Sequence, residues 1–195
     1  MDSMPAILTI GHSRHPLERF IELLEGAGVT AVADVRSAPY SRFSPQFNKT
    51  DLAASLAARE IDYFFLGKEL GGRPARTELY TRGVADYEKM AAAPEFRAGL
   101  ARLMELAREK LVAVICAEAD PLDCHRCLLI GRALAEAGRE VSHILPSGEI
   151  ITHSQAEDRL LAFAKLGEEE LLRSCAERLR KAYRLRNRKA GFAAH

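Results

Sequence analysis

Leu111-Val-Ala-Val-Ile-Cys116-Ala-Glu118-Ala-Asp120-Pro121-Leu-Asp123-Cys124-His125-Arg126-Cys127 decides how the rest of the chain is read. The apolar run Leu111 to Ile115 predicts a strand buried on both faces, the mark of a parallel sheet. It ends in a thiol and a carboxylate two positions apart. A short loop with Pro121 follows, and Cys124-His125-Arg126 opens a helix with apolar periodicity at Leu128, Leu129, Ala133, Leu134 and Ala137. A buried strand, a loop carrying reactive groups and a helix N-terminus form the usual location of chemistry in open α/β proteins.

Working outward, the same alternation recurs. Ala6 to Ile10, Thr30 to Val35, Ile61 to Leu66 and Glu140 to Leu145 read as further strands, with Glu149 to Thr152 as a short edge strand. Helices are expected from Pro16 through Leu24, from Asp51 to Arg59 behind Thr50 as N-cap, over Asp86 to Met90 and Glu95 to Glu109, and over Ser154 to Phe163. Ser37 to Pro45 and the glycine-rich Gly67 to Pro74 read as loops. The expected architecture is a single open, mostly parallel α/β sheet with helices on both faces and a basic C-terminal helix. The division expected is 1–163 for the α/β domain and 164–195 for a charged helical extension, with Leu171, Leu172, Cys175, Leu179 and Tyr183 on its inner face.

Parallel strands joined by right-handed crossovers put their C-terminal ends along one edge. Four residues there are candidates for catalysis: Cys124, Glu118, Asp34 and His12. Cys124 starts a helix beside His125 and Arg126, which favours a thiolate nucleophile; the plain alternative is an inert buried thiol. Glu118 and Asp34 suit acid and base roles, or ion pairs with Arg126 and Arg36. His12 suits a proton shuttle or phosphate contact, or a loop-capping role. Ser13, Arg36, Ser41, Arg42, Gly71, Gly72, Cys116, His125 and Arg126 complete the expected binding set, the arginines for an anion and the glycine pair for close backbone approach to a ligand.

The four cysteines sit in a chain of 195 residues. Three of them fall within twelve positions, which is not the spacing of a disulfide scaffold. With no apolar run of membrane-spanning length and no leader pattern, a reduced cytoplasmic protein is expected, without membrane contact. Cys124-His125-Arg126-Cys127 also reads as a redox C-x-x-C, and Cys116, Cys124, His125 and Cys127 supply zinc-ligand types, although adjacent Cys and His seldom face one ion. The leading reading needs no metal and no cofactor. Arg173 to Lys189 holds eight basic residues and one acid, so the tail suits nucleic-acid phosphates or a solvated face. Tyr40, Phe43, Phe47 and Tyr63 to Phe65 place aromatics near the arginine loop, for base stacking or core packing.

Gly11-His12-Ser13, Asp34-Val35-Arg36, Pro39-Tyr40-Ser41-Arg42-Phe43, Leu70-Gly71-Gly72, Tyr87 to Met90, Cys116-Ala-Glu118 and Cys124-His125-Arg126 occur in that order. This ordered set resembles the DUF488 family of bacterial and archaeal α/β proteins, over Leu8 to Thr152. The resemblance implies an α/β fold with a shared polar site and brings no reaction with it. Cys127 lies outside the Cys-His-Arg signature. The expected function is an enzyme acting on a small anionic, phosphorylated or nucleic-acid-related substrate, with a non-catalytic nucleotide or nucleic-acid binding module as the alternative and thiol redox or metal binding behind it.

Overall fold

The computed structural model describes residues 6–167 and 174–194. Its main sheet has six strands: β1 Ile7–Gly11, β2 Ala31–Asp34, β3 Asp62–Phe65, β6 Val112–Cys116, β7 Val141–Ile144 and β8 Ile150–Thr152, in the order β3-β2-β6-β1-β7-β8. All neighbours are parallel except β8, which runs antiparallel to β7 at the edge. Two-residue strands β4 Tyr80–Thr81 and β5 Val84–Ala85 form a separate hairpin that the sequence reading did not anticipate.

Residues alternate across the sheet as the period of two requires. Leu8, Ile10, Val32, Ala113, Ile115 and Ile144 face one core with Phe20, Leu23 and Leu24 of α1 (Leu17–Gly26) and Leu52 and Leu56 of α2 (Lys49–Ala57). Ile7, Ala31, Ala33, Val112, Val114 and Val141 face a second core. That side is covered by α3 Gly67–Leu70, α4 Tyr87–Ala92, α5 Pro94–Leu106, α6 Arg132–Glu136, α7 His153–Phe163 and α8 Cys175–Ala190. The chain leaves β1 and β2 toward the first face and leaves β6, which lies between them, toward the second. Loops diverging from neighbouring parallel strands open a crevice at their C-terminal ends. The topology therefore sets the end of β6 between those of β1 and β2.

Several local expectations are corrected. Gly67 to Leu70 is a short helix within the expected loop. The α2 cap position is Asn48, whose Oδ1 accepts the Ser41 N–H at 2.7 Å, so the helix starts before Thr50. After β6 the chain makes a 3-10 turn, Pro121–Asp123, and then a wide π-turn, Arg126–Gly131, before α6. All six π-turn residues are buried, so the segment has no solvent stripe of the kind an amphipathic helix needs.

The α8 helix is docked on the body. Ala182 and Tyr183 enter the second core, and the Asn187 side chain accepts from Tyr87 N and donates to Ala85 O. Arg184 pairs with Glu88, and Arg186 pairs with Asp123 and donates to Leu122 O at 2.8 Å. Lys189 lies over the Phe163 ring. Cys175 is exposed, so it is not on the packed face. Of the extension expected over 164–195, residues 168–173, with Leu171, Leu172 and Arg173, lie outside the described residues. No helix among the described residues is long and apolar enough to cross a membrane.

Candidate active site

At the end of β6 four reactive side chains meet. The Cys116 and Cys124 sulfurs each lie 3.0 Å from Glu118 Oε2. His125 Nδ1 is 3.6 Å from Cys116 Sγ and 3.8 Å from Cys124 Sγ. Its Nε2 lies 3.2 Å from the Val35 carbonyl, which can only accept, so Nε2 carries a proton and Nδ1 is the nitrogen turned toward the sulfurs. The Arg126 backbone N–H donates to Cys124 Sγ at 3.4 Å. All four side chains line a pocket of about 240 Å³, shared with Arg36, Ser37, Gly72, Arg73, Tyr87 and Phe192. A larger groove of about 520 Å³, between the hairpin and α8, contains no thiol or imidazole.

Electrostatics follow from burial. Desolvation raises Glu118 above the ordinary carboxyl range, helped by the neighbouring Cys124. Cys116 is raised by its hydrogen bond to Cys124 and by burial. Cys124 is lowered: burial opposes ionisation, but Cys116, the Arg126 charge and His125 outweigh it. His125 is raised, with Cys124 overcoming the cost of burial.

A second network supports the first. Arg36 grips Asp34 with Nε at 2.9 Å and Nη2 at 2.6 Å, and Tyr63 Oη donates to Asp34 at 2.5 Å. Arg36 stays charged although burial disfavours it, because Asp34 more than compensates. His12 Nδ1 donates to Ser13 O at 3.1 Å, leaving Nε2 to face Arg36 Nη1 at 3.4 Å. The ring stacks on Phe47 at 4.3 Å. Burial and the Arg36 charge push His12 down to about 4, so it is neutral at physiological pH.

Cys116, Glu118, Cys124, His125, Arg36 and Gly72 are thus brought to one pocket, with His12 and Asp34 directly behind Arg36. Asp34 already holds three donor groups and is not poised as a base. Arg126 points away: fully buried, it donates to Glu118 O at 2.6 Å and Ala119 O at 2.9 Å, fixing the loop instead of facing an anion. The Gly71-Gly72 pair makes close approach to protein, although Gly72 also lines the pocket. A Cβ on Gly72 would lie 2.8 Å from the His125 ring, and one on Gly71 2.3 Å from Gly67 O. Ser41 shapes its own loop by accepting from Phe43 N, and Arg42 lies over the exposed Phe43 ring. Phe47 is buried, while Tyr40 and Phe43 stand out in solvent.

The sequence reading missed the pocket walls Tyr87 and Phe192, and a buried cluster behind the site. Cys127, His143 and His153 place their ligand atoms within 4.8 Å of one another, as do Cys116, Cys124 and His125. Thr9 Oγ1, His143, His153, Tyr183 and Glu157 form a chain with contacts of 2.7, 3.0, 3.0 and 2.9 Å. With Glu157 ionised, every link has one donor and one acceptor, running from the Thr9 hydroxyl to the carboxylate. A histidine in the inward register of β7, another opening α7 and a tyrosine on the tail's apolar face were the available signals.

This chain predicts acid sensitivity. Burial lowers His143 to about 3 and His153 to about 4, against 6.5 when exposed. Between those values the unfolded chain binds protons that the folded one refuses, so this stabilisation is full above about pH 6.5 and is lost as pH falls. From pH 7 to 5 each ring stands to lose up to about 2 kcal/mol. Glu157, raised by burial, works in the opposite sense. Urea midpoints should fall between pH 7 and 5, and the fall should shrink in His153→Gln; an equal fall in both proteins would disprove the assignment.

The fold and site define an open α/β protein with a thiol, carboxylate and imidazole centre at the switch crevice of its sheet. The chain belongs to the family described as "Domain of unknown function DUF488", matched over residues 16–133. That span contains Asp34, Arg36 and the whole Cys116 to Arg126 segment; Gly11-His12-Ser13 precedes it. No curated protein and no solved structure matches the chain.

Proposed function

We propose that this protein is an enzyme acting on a small anionic substrate, phosphorylated or nucleic-acid-related, with Cys116, Glu118, Cys124 and His125 at the reacting end of the pocket. The observation carrying this is their convergence on the floor of one solvent-connected pocket at the switch crevice. Satisfied structural groups do not require a pocket, whereas substrate chemistry does. Glu118 is the proton-carrying group by position, beside both sulfurs. Arg73, on the pocket wall, supplies positive charge, and its backbone is held by Ser37 Oγ at 3.0 Å. A nucleobase-bearing ligand is favoured by Tyr40 and Phe43, exposed on the loop that continues from the wall residues Ser37 and Ala38.

The test is a binding and turnover panel of inorganic phosphate, nucleoside monophosphates and diphosphates, and a single-stranded oligonucleotide. Binding should weaken at least about tenfold in Arg73→Ala, since one charge-assisted contact contributes roughly 1.5–3 kcal/mol. Product formation should disappear in Glu118→Gln. If no member binds at millimolar concentration, the substrate class is wrong. Binding without product from any member would instead make the chain a binding module.

A further inference from the structure

We infer that the pocket floor is a zinc-type metal site, with Cys116, Cys124 and His125 as ligands and a fourth, exchangeable corner left open to the pocket beside Glu118. The inference rests on the reading of this cluster as the functional centre, and it names the cofactor that centre takes.

Three ligand atoms converge on the pocket floor: Cys116 Sγ, Cys124 Sγ and His125 Nδ1 lie within 4.8 Å of one another, all on buried residues. The outer His125 nitrogen donates to Val35 O, so Nδ1 is the nitrogen that faces both sulfurs. Two sulfurs and an imidazole nitrogen are ligand types that hold zinc with one position left open.

Zinc bonds of about 2.3 Å to sulfur and about 2.0 Å to nitrogen give a tetrahedral S···N edge of about 3.5 Å. The two edges here are 3.6 and 3.8 Å. Glu118 Oε2 lies 3.0 Å from each sulfur but outside this three-atom set, so it stands beside the ligands and does not complete the tetrahedron.

A backbone carbonyl on the outer nitrogen of a ligating histidine fixes its tautomer, and Val35 O occupies that position. The Arg126 N–H on Cys124 Sγ supports a thiolate ligand in the same way. Adjacent Cys124 and His125 reach one point because they precede the π-turn, where the chain is still in a 3-10 turn and its exit.

The Cys127, His143 and His153 group does not make the same case. Its inner nitrogens satisfy each other through the His143 to His153 hydrogen bond, so that cluster is complete without a cation.

Binding replaces two protons of the Cys116, Cys124 and His125 group, released to solvent, by one divalent ion, leaving two thiolates and one neutral imidazole as its ligands. The experiment is metal analysis of the purified full-length protein, with cobalt(II) reconstitution followed by thiolate-to-cobalt charge-transfer absorption. About one ion per chain is expected. The absorption should be lost in Cys116→Ser and Cys124→Ser and kept in Cys127→Ser. As a measurement on the unaltered protein, iodoacetamide labelling of Cys116 and Cys124 should be blocked by zinc and restored by a chelator.

No ion and no cobalt–thiolate band in the unaltered protein would overturn the inference. So would a band that survives loss of Cys116 and Cys124 but vanishes with Cys127. Failure here with intact nucleotide or phosphate binding leaves the enzyme reading standing. A loaded metal with no ligand bound from the panel removes the substrate class alone.

Discussion

Gly11→Ala should cost at least about 3 kcal/mol and disorganise the pocket loop, the reverse of what this substitution does at an ordinary site. Gly11 has no positive φ, so no conformational freedom is at stake. Space is the issue: a Cβ there would lie 1.8 Å from the Glu118 carbonyl oxygen and 3.0 Å from Arg126 Nη1. Neither neighbour yields easily. The carbonyl accepts from Arg126, and β1 is pinned to the same loop by His12 N to Cys116 O and Ser13 N to Ala117 O, both 2.9 Å. Relief therefore requires β1 to part from β6 or the Ala117 to Ala119 segment to leave Arg126. Urea unfolding measures the loss, and thiol alkylation of Cys116 and Cys124 reports the loop. A variant as stable as the parent with unchanged alkylation would refute this account of the crevice.

Asp34→Asn should destabilise by about 3–5 kcal/mol, because it leaves a buried guanidinium without its counter-charge. Asp34 is fully buried and takes two guanidinium hydrogen bonds, the Arg36 N–H and the Tyr63 hydroxyl. A carboxamide offers one acceptor oxygen and turns an N–H group against a donor. The double variant Asp34→Asn with Arg36→Met should recover much of the loss, since removing both charges removes the desolvation problem. Urea midpoints for the three proteins decide the matter. A single variant within about 1 kcal/mol of the parent, or a double variant worse than the sum, would show that the pair is not the unit described.

Much of the architecture was legible because burial leaves a pattern. The apolar runs ending at Ile10, Val35 and Ile115 located β1, β2 and β6, and parallelism then required His12, Arg36 and Cys116 to share an edge. The structure puts His12 against Arg36, and Arg36 in the same pocket as Cys124. What the pattern could not convey was direction. Arg126 has the reach to face either solvent or core, and only the paired carbonyls of Glu118 and Ala119 turn it inward. The Gly71-Gly72 pair suggested close approach to a ligand, but the close approaches it makes are to Gly67 O and Ser37 from Gly71 and to the His125 ring from Gly72. The His143, His153 and Tyr183 chain escaped notice because its members come from three elements that meet only once the tail has packed. Adjacent Cys124 and His125 argued against a common ligand point until the 3-10 and π turns were known.

The Arg186 clamp on Leu122 and Asp123 and the Phe192 wall have a bearing on biosynthesis. A nascent chain can pair β1, β2, β3 and β6 long before residue 192 has left the ribosome, yet its thiols then sit under a half-built roof. Cys116 and Cys124 are therefore most open to oxidants and electrophiles during synthesis, and closure of the carboxyl-terminal segment ends that window.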